Sequence, residues 1–341
     1  MRKIKILSGI LLITLGIFSC KNQDWDFDDF DYTASYFPYQ YPVRTLIFGD
    51  YAYDNSNDKA LKFEISATMG GAYENEKEVV VNFTVDESLV ANLYNNAGGT
   101  PILALPQSYY TLSDNSKIVI PKGEFSGSIM VQLTEAFTAD PLAVATNYVI
   151  PLRITSATTD SVLMGSSTLS NPDRRIAADW IKSPKDFTLF AIKYVNEYDA
   201  KYLLRGRDLI KDGSNQIYNT IAYRTAYVET DEVVNVTTVS RHVVRYSNNV
   251  RFSPTSPGKF SMDMTFTTGG NCTITQTAGS TFAVTGTGKF VEDGDTWGGE
   301  KRNALYLNYQ VNDGTYMHNV NDTLVFRNRT VVFEEFTPLV K

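Results

Sequence analysis

The chain has 341 residues, 43% of them hydrophobic, 20% charged and 13% aromatic, proportions that can bury a core and that exclude wholesale disorder. Its formal charge of −7, from 31 basic against 38 acidic residues, argues against nucleic acid or an anionic membrane surface as the main ligand. Two histidines and two cysteines leave little material for a metal or cofactor site, so none is expected, and the length suits two domains.

Arg2, Lys3 and Lys5 precede an apolar run at 6–18, followed by Ser19-Cys20. The run is too short to cross a bilayer as a helix and fits a secretory signal over residues 1–19. A small residue directly before Cys20 resembles a bacterial lipoprotein signal, which implies lipidation of the Cys20 thiol, although the bulky Phe18 departs from that pattern. Residues 20–31 carry five aspartates interleaved with Trp25, Phe27 and Phe30, and read as an acidic tether. Early acidic residues after a lipidated cysteine resemble the surface-export signal of Bacteroidetes lipoproteins. That resemblance implies anchorage in the outer membrane, facing the cell exterior.

From Tyr32 the chain reads as all-β. Strands are expected at 44–48, 61–68, 79–85, 116–120, 127–133 and 147–154, separated by turn signals such as Gly70-Gly71 and Pro121-Lys122-Gly123. Short strands over this length argue for a β-sandwich across residues 32–160. The segments Tyr41-Pro42-Val43-Arg44, Met69-Gly70-Gly71-Ala72-Tyr73, Val81-Asn82-Phe83-Thr84-Val85 and Tyr109-Tyr110-Thr111-Leu112 occur in an order that resembles the DUF1735 domain. The resemblance implies an immunoglobulin-like module near the amino terminus of Bacteroidetes surface lipoproteins from polysaccharide-utilisation loci.

A polar linker at 161–183 is expected to join this sandwich to a second domain over 184–341. Strands are expected there at 188–194, 220–228, 233–244, 259–268, 271–276, 280–289, 304–311 and 321–333. Such a meander removes its edges most simply by closing into a barrel, although a jelly roll gives a similar strand count. The segments Asp179-Trp180-Ile181, Tyr202-Leu203-Leu204-Arg205-Gly206 and Trp297-Gly298-Gly299 resemble the lipocalin-like β-barrel domains that accompany DUF1735. With no evident shared strand, a cut within 155–173 is expected to give two independently folding pieces.

Glu197, Asp208, Glu292, Asp293, Asp295, Glu334 and Glu335 are the carboxylates available for glycoside hydrolysis, and none stands in a recognisable catalytic motif. Neither His242 nor His318 accompanies a nucleophile motif, and Cys272 reads as an inert strand thiol. No catalytic residue is therefore expected. Aromatic faces and planar polar groups suit carbohydrate. Trp297 stands in a glycine-rich, charged loop with Asp295 and Arg302, where a Trp is often a contact residue; its rival role is to plug the barrel end, with Arg302 paired to a carboxylate. Tyr202 and Arg205, with Arg207, form a second candidate cluster. Tyr306, Asn308 and Gln310 alternate toward one face, which is either the core or a ligand surface. The expectation is a lipid-anchored glycan-binding protein that captures oligosaccharide on its barrel for a neighbouring outer-membrane transporter. A glycoside hydrolase or an adhesive lipoprotein is the alternative.

Overall fold

The structure, a computed structural model, describes residues 32–95, 99–251, 258–329 and 331–341. Cys20 and the acidic tether lie outside the described residues. The first half supplies β1 (Ala34–Tyr36), β2 (Pro42–Ile47), β3 (Lys62–Gly70), β4 (Val79–Val85), β5 (Leu93–Asn95), β6 (Thr100–Pro101), β7 (Leu103–Ala104), β8 (Tyr110–Leu112), β9 (Lys117–Ile120), β10 (Ser126–Leu133), β11 (Tyr148–Ala157) and β12 (Ser161–Val162). β13 (Phe187–Val195) follows. The second half continues with β14 (Ala200–Lys211), β15 (Ile217–Tyr223), β16 (Glu232–Ser240), β17 (Val243–Asn249), β18 (Lys259–Phe266), β19 (Asn271–Gln276), β20 (Ala283–Trp297), β21 (Glu300–Asn312), β22 (Met317–Asn328), β23 (Glu334–Glu335) and β24 (Pro338–Val340).

Period-two patterning builds the sandwich. Phe63, Ile65, Ala67 and Met69 of β3 point inward while the residues between them are more exposed, and β10 pairs antiparallel with Ile129 opposite Ile65. One sheet runs β12-β1-β3-β10-β8 and the other β23-β2-β13-β11-β4-β9. Phe37, Leu46, Ile65, Val81, Ile118 and Ile150 belong to the core packed in this half.

The boundary between the halves differs from the sequence expectation. The strand at 188–194, assigned above to the barrel, is β13, and it lies inside a sandwich sheet between β11, antiparallel, and β2, parallel. Most of its residues are buried, so it carries no alternation that would say which core it enters. The last residues also return: β23 pairs with β2, β24 pairs with β5, and Phe336 packs beside Tyr41, Phe187 and Leu189. The expected linker is fastened to the sandwich as well. β12 pairs with β1, Arg175 donates to the carbonyls of Leu89 and Ala91, and the indole of Trp180 donates to the Asp173 carbonyl at 2.7 Å. Strands from beyond the proposed cut thus complete the amino-terminal sheets, contrary to two independent pieces.

The barrel closes. β14 is bordered by β22 along 201–211, and on its other edge by β16 at 200–204 and β15 at 206–211. Eight antiparallel strands, β14 and β16–β22, form the ring among the described residues, with β15 as a flap outside it. Inward residues such as Tyr202, Leu204, Tyr246, Met262, Met264, Ile274, Leu305 and Leu324 fill its interior, so the ring is a packed core.

Candidate functional site

The expected residues separate into two places. The glycine-rich segment is the end of a long hairpin: Trp297 is the last residue of β20, and Gly298-Gly299, both at positive φ, form its two-residue turn. Trp297, Arg302 and Asp295 do come together there, with Asp295 opposite Arg302 in register. The Arg302 guanidinium lies 4.4 Å over the indole and pairs with Glu300 at 2.6 Å, while the indole N–H donates to the Phe326 carbonyl at 2.9 Å. One ring face and the polar edge of Trp297 are therefore engaged within the protein. Tyr202 is a correction to the expected contact cluster: it is wholly buried, and its hydroxyl donates to the Tyr198 carbonyl at 2.8 Å. Arg205, three positions on, faces the opposite side of β14 and pairs with buried Asp231 at 2.7 Å.

A larger concavity lies where the sandwich meets one end of the barrel. This cleft, of about 1060 Å³, is lined from the sandwich by Phe48, Gly49, Asp50 and Lys59 and from the barrel by Glu197, Tyr198, His242, Phe266, residues 267–270, residues 289–292, Asn303 and Arg329. Its floor is aromatic: Tyr198 stacks on Phe266 with centroids 3.7 Å apart and meets Phe290 edge-on at 5.1 Å. Its rim is polar, with Lys59 paired to Asp50 at 3.2 Å. Burial is the main reason the Tyr198 hydroxyl sits far above its ordinary pKa, with Glu197 adding to it.

Arg329 fixes the cleft's geometry. It donates to the carbonyls of Asp50 at 2.9 Å and Asp199 at 2.6 Å, and to that of Glu197, so one guanidinium spans both walls. Burial lowers its pKa from the usual guanidinium value. Gly49 is required here because a Cβ would lie 2.5 Å from the Glu197 carbonyl oxygen as well as against the Arg329 guanidinium. Arg241 adds a second tie, lying 4.4 Å over the Phe48 ring. In the barrel wall, β20 shifts register against β21 between Val291 and Asp295; this bulge sets Glu292 at the cleft and Asp293 at φ 52°. Sequence reasoning singled out Glu197, Glu292 and His242 only as isolated side chains. Residues 48–50 come from the sandwich, so no local pattern signals that they meet the others.

The opposite barrel end is closed. Asp322 accepts from the hydroxyls of Tyr309, at 2.7 Å, and Tyr223, and burial pushes its carboxyl up to about 6. His318, buried between Asp208 at 2.7 Å and Asp313 at 3.3 Å, is held above its ordinary pKa because these carboxylates outweigh burial. Among the described residues, the Tyr246 hydroxyl and one Asp208 oxygen are buried without a partner. Cys272 is a buried core thiol, which burial pushes up to about 12.

Two family models match the chain. One, a domain of unknown function (DUF5627), covers residues 197–330, and the other, described as an N-terminal domain, covers 30–161. DUF1735 is not among the matches, so that likeness stays one of sequence motifs. The DUF5627 span begins after β13 and ends before β23, in agreement with the strand pairing. No curated protein matches. A crystal structure of a Bacteroides ovatus protein of unknown function is 38% identical, over 92% of this chain and 100% of that one, with a TM-score of 0.86. A second Bacteroides ovatus protein of unknown function is 13% identical over 87% of this chain and 94% of its own, with a TM-score of 0.44. A third, from strain ATCC 8483 and named as a candidate carbohydrate binding protein, is 13% identical over 87% and 98%, with a TM-score of 0.27. The first of these covers both the sandwich and the barrel, and this chain belongs to its family.

Proposed function

We propose that the protein is a non-catalytic glycan-binding protein whose site is the junction cleft. The observation that carries this reading is a preformed cleft of about 1060 Å³ with an aromatic floor and a rim of carboxylates, amide, ammonium and hydroxyl groups, held open by Arg329. Sugars present C–H faces to rings and hydroxyls to planar polar groups, and ligand sites favour such interfaces between units. The lipoprotein signal at Cys20 supports anchorage at the outer membrane, where the protein would pass captured oligosaccharide to a neighbouring transporter.

Native gels loaded singly with xylan, galactomannan, pullulan and laminarin test this. Retardation without new reducing ends is the expected result. Thr268→Arg, an exposed loop position at the cleft, is expected to abolish the retardation and keep the melting point. Glu197 and Glu292, both at the cleft, favour a hydrolytic second reading, and new reducing ends that disappear in Glu292→Gln would establish it. Unretarded protein in every gel contradicts both.

A further inference from the structure

The outer wall of the barrel carries a second groove, of about 610 Å³, across β19–β22. It shares Thr267 and Lys289 with the junction cleft, so the two concavities adjoin at these residues. Strand register sets its side chains in two rows. Thr273, Thr287, Asn308 and Asn321 face one another across four strands, and beside them run Asn271, Lys289, Tyr306 and Thr323. With strands about 4.8 Å apart, each row spans about 14 Å, and the rows lie about 6.7 Å apart. These positions alternate with inward Cys272 and Leu307, so the rows point outward, which answers the question left open for Tyr306 and Asn308.

The chemistry of the rows is uniform. Apart from Lys289 at the cleft end, every group is neutral, and the amides of Asn308 and Asn321 bond to no other described residue. Such groups donate and accept in the manner that sugar hydroxyls require. Tyr306 gives the groove a ring of fixed orientation, since its hydroxyl donates to the Gly294 carbonyl at 2.5 Å.

We infer that the ligand is a linear neutral glycan chain that leaves the junction cleft over Thr267 and Lys289 and lies along this outer groove. The inference rests on the cleft being a glycan site. Two linked subsites bind a long chain more tightly than either does alone, because the second contact is intramolecular, whereas a short oligosaccharide fills one of them.

Calorimetric titration of the full chain with size-graded oligosaccharides of xylan, galactomannan, pullulan and laminarin tests this. A hexasaccharide or longer chain is expected to bind at least about tenfold more tightly than its trisaccharide. Asn308→Ala/Asn321→Ala, and separately Thr287→Arg, are expected to bring the long chain down to the trisaccharide's affinity while leaving the trisaccharide itself unchanged; melting points show that each variant is folded. Equal affinity for long and short chains, or full long-chain affinity in either folded variant, overturns the outer groove and leaves the cleft reading intact. Failure of every length to bind overturns the two together.

Discussion

The two ends of the barrel use the same residue types to opposite effect. At the sandwich end, Tyr198, Phe266 and Phe290 form a floor, while Glu197, Glu292, Lys289 and Asn303 stand on a rim that solvent reaches. At the far end, Tyr223, Tyr246 and Tyr309 turn inward around Asp322, and His318 is enclosed by two aspartates. An open rim leaves its polar groups available to a ligand. A closed cluster spends them on one another, and its carboxylates bear the cost of burial. Aromatic and charged content therefore says little about where a ligand goes; what decides is which side of each strand faces solvent, and that depends on register.

Four results would sharpen or break this contrast. The largest effect is expected for Arg329→Ala, which leaves the carbonyls of Asp50, Glu197 and Asp199 without their shared donor. Chemical denaturation should show a loss of about 4 kcal/mol, with Lys a poor replacement because it cannot reproduce the planar fork. An effect below about 1 kcal/mol would mean that the junction is not held this way.

At the closed end, His318→Leu leaves Asp208 and Asp313 buried without their common partner, and a loss of about 3 kcal/mol is expected with glycan retardation unchanged in the folded fraction. Lost retardation in folded protein would place the ligand at the closed end and contradict the cleft.

The same cluster sets a pH dependence. Asp322, raised to about 6, contributes stability that is fully present below the ordinary carboxylate value of 3.8 and is lost as pH rises through about 6. His318, raised above 6.5, acts in the same direction at higher pH, and Asp58 and Asp186, raised by burial, add to the effect. Asp86, Asp140 and Asp263, which are lowered, act only as pH falls below the ordinary carboxylate range. Melting points should therefore fall between pH 5 and pH 8, and Asp322→Asn should remove on the order of 2 kcal/mol of that dependence. An unchanged slope in Asp322→Asn would show that its carboxyl is not the titrating group.

The smallest effect is expected for Trp297→Ala. Its indole is half-buried at a hairpin end outside the cleft lining, so truncation should cost about 1 kcal/mol and leave glycan affinity within about twofold. A tenfold loss of affinity at constant melting point would return the site to the hairpin.

Much of the fold was legible in the sequence. The expected strands at 79–85, 127–133 and 271–276 match β4, β10 and β19 within a residue, because each alternates or is bounded by clear turns. The expected barrel count of eight was right for a partly wrong set. The strand at 188–194 belongs to the sandwich, β14 is a strand where the sequence suggests a cluster of contact residues, and 233–244 spans two strands, β16 and β17. β14 hides its period because Tyr202, Leu203 and Leu204 are all buried, which obscures the inward-outward alternation separating Tyr202 from Arg205. Trp297 read as a loop residue because glycines and aspartates around it mimic a turn; they are a bulge and a two-residue hairpin. The cleft was the least legible feature. It joins residues 48–50 to 197–198, 266–270, 289–292 and 329, and only the closing of the barrel and the tie from Arg329 bring them together.

Amide hydrogen exchange, with and without a polysaccharide that retards the protein, compares the two barrel ends in one measurement. New protection should appear at 266–270 and 289–292, with none at 208–210 or 318–320. Protection confined to the closed end, or to the hairpin around Trp297, would contradict the assignment of ligand binding to the junction cleft.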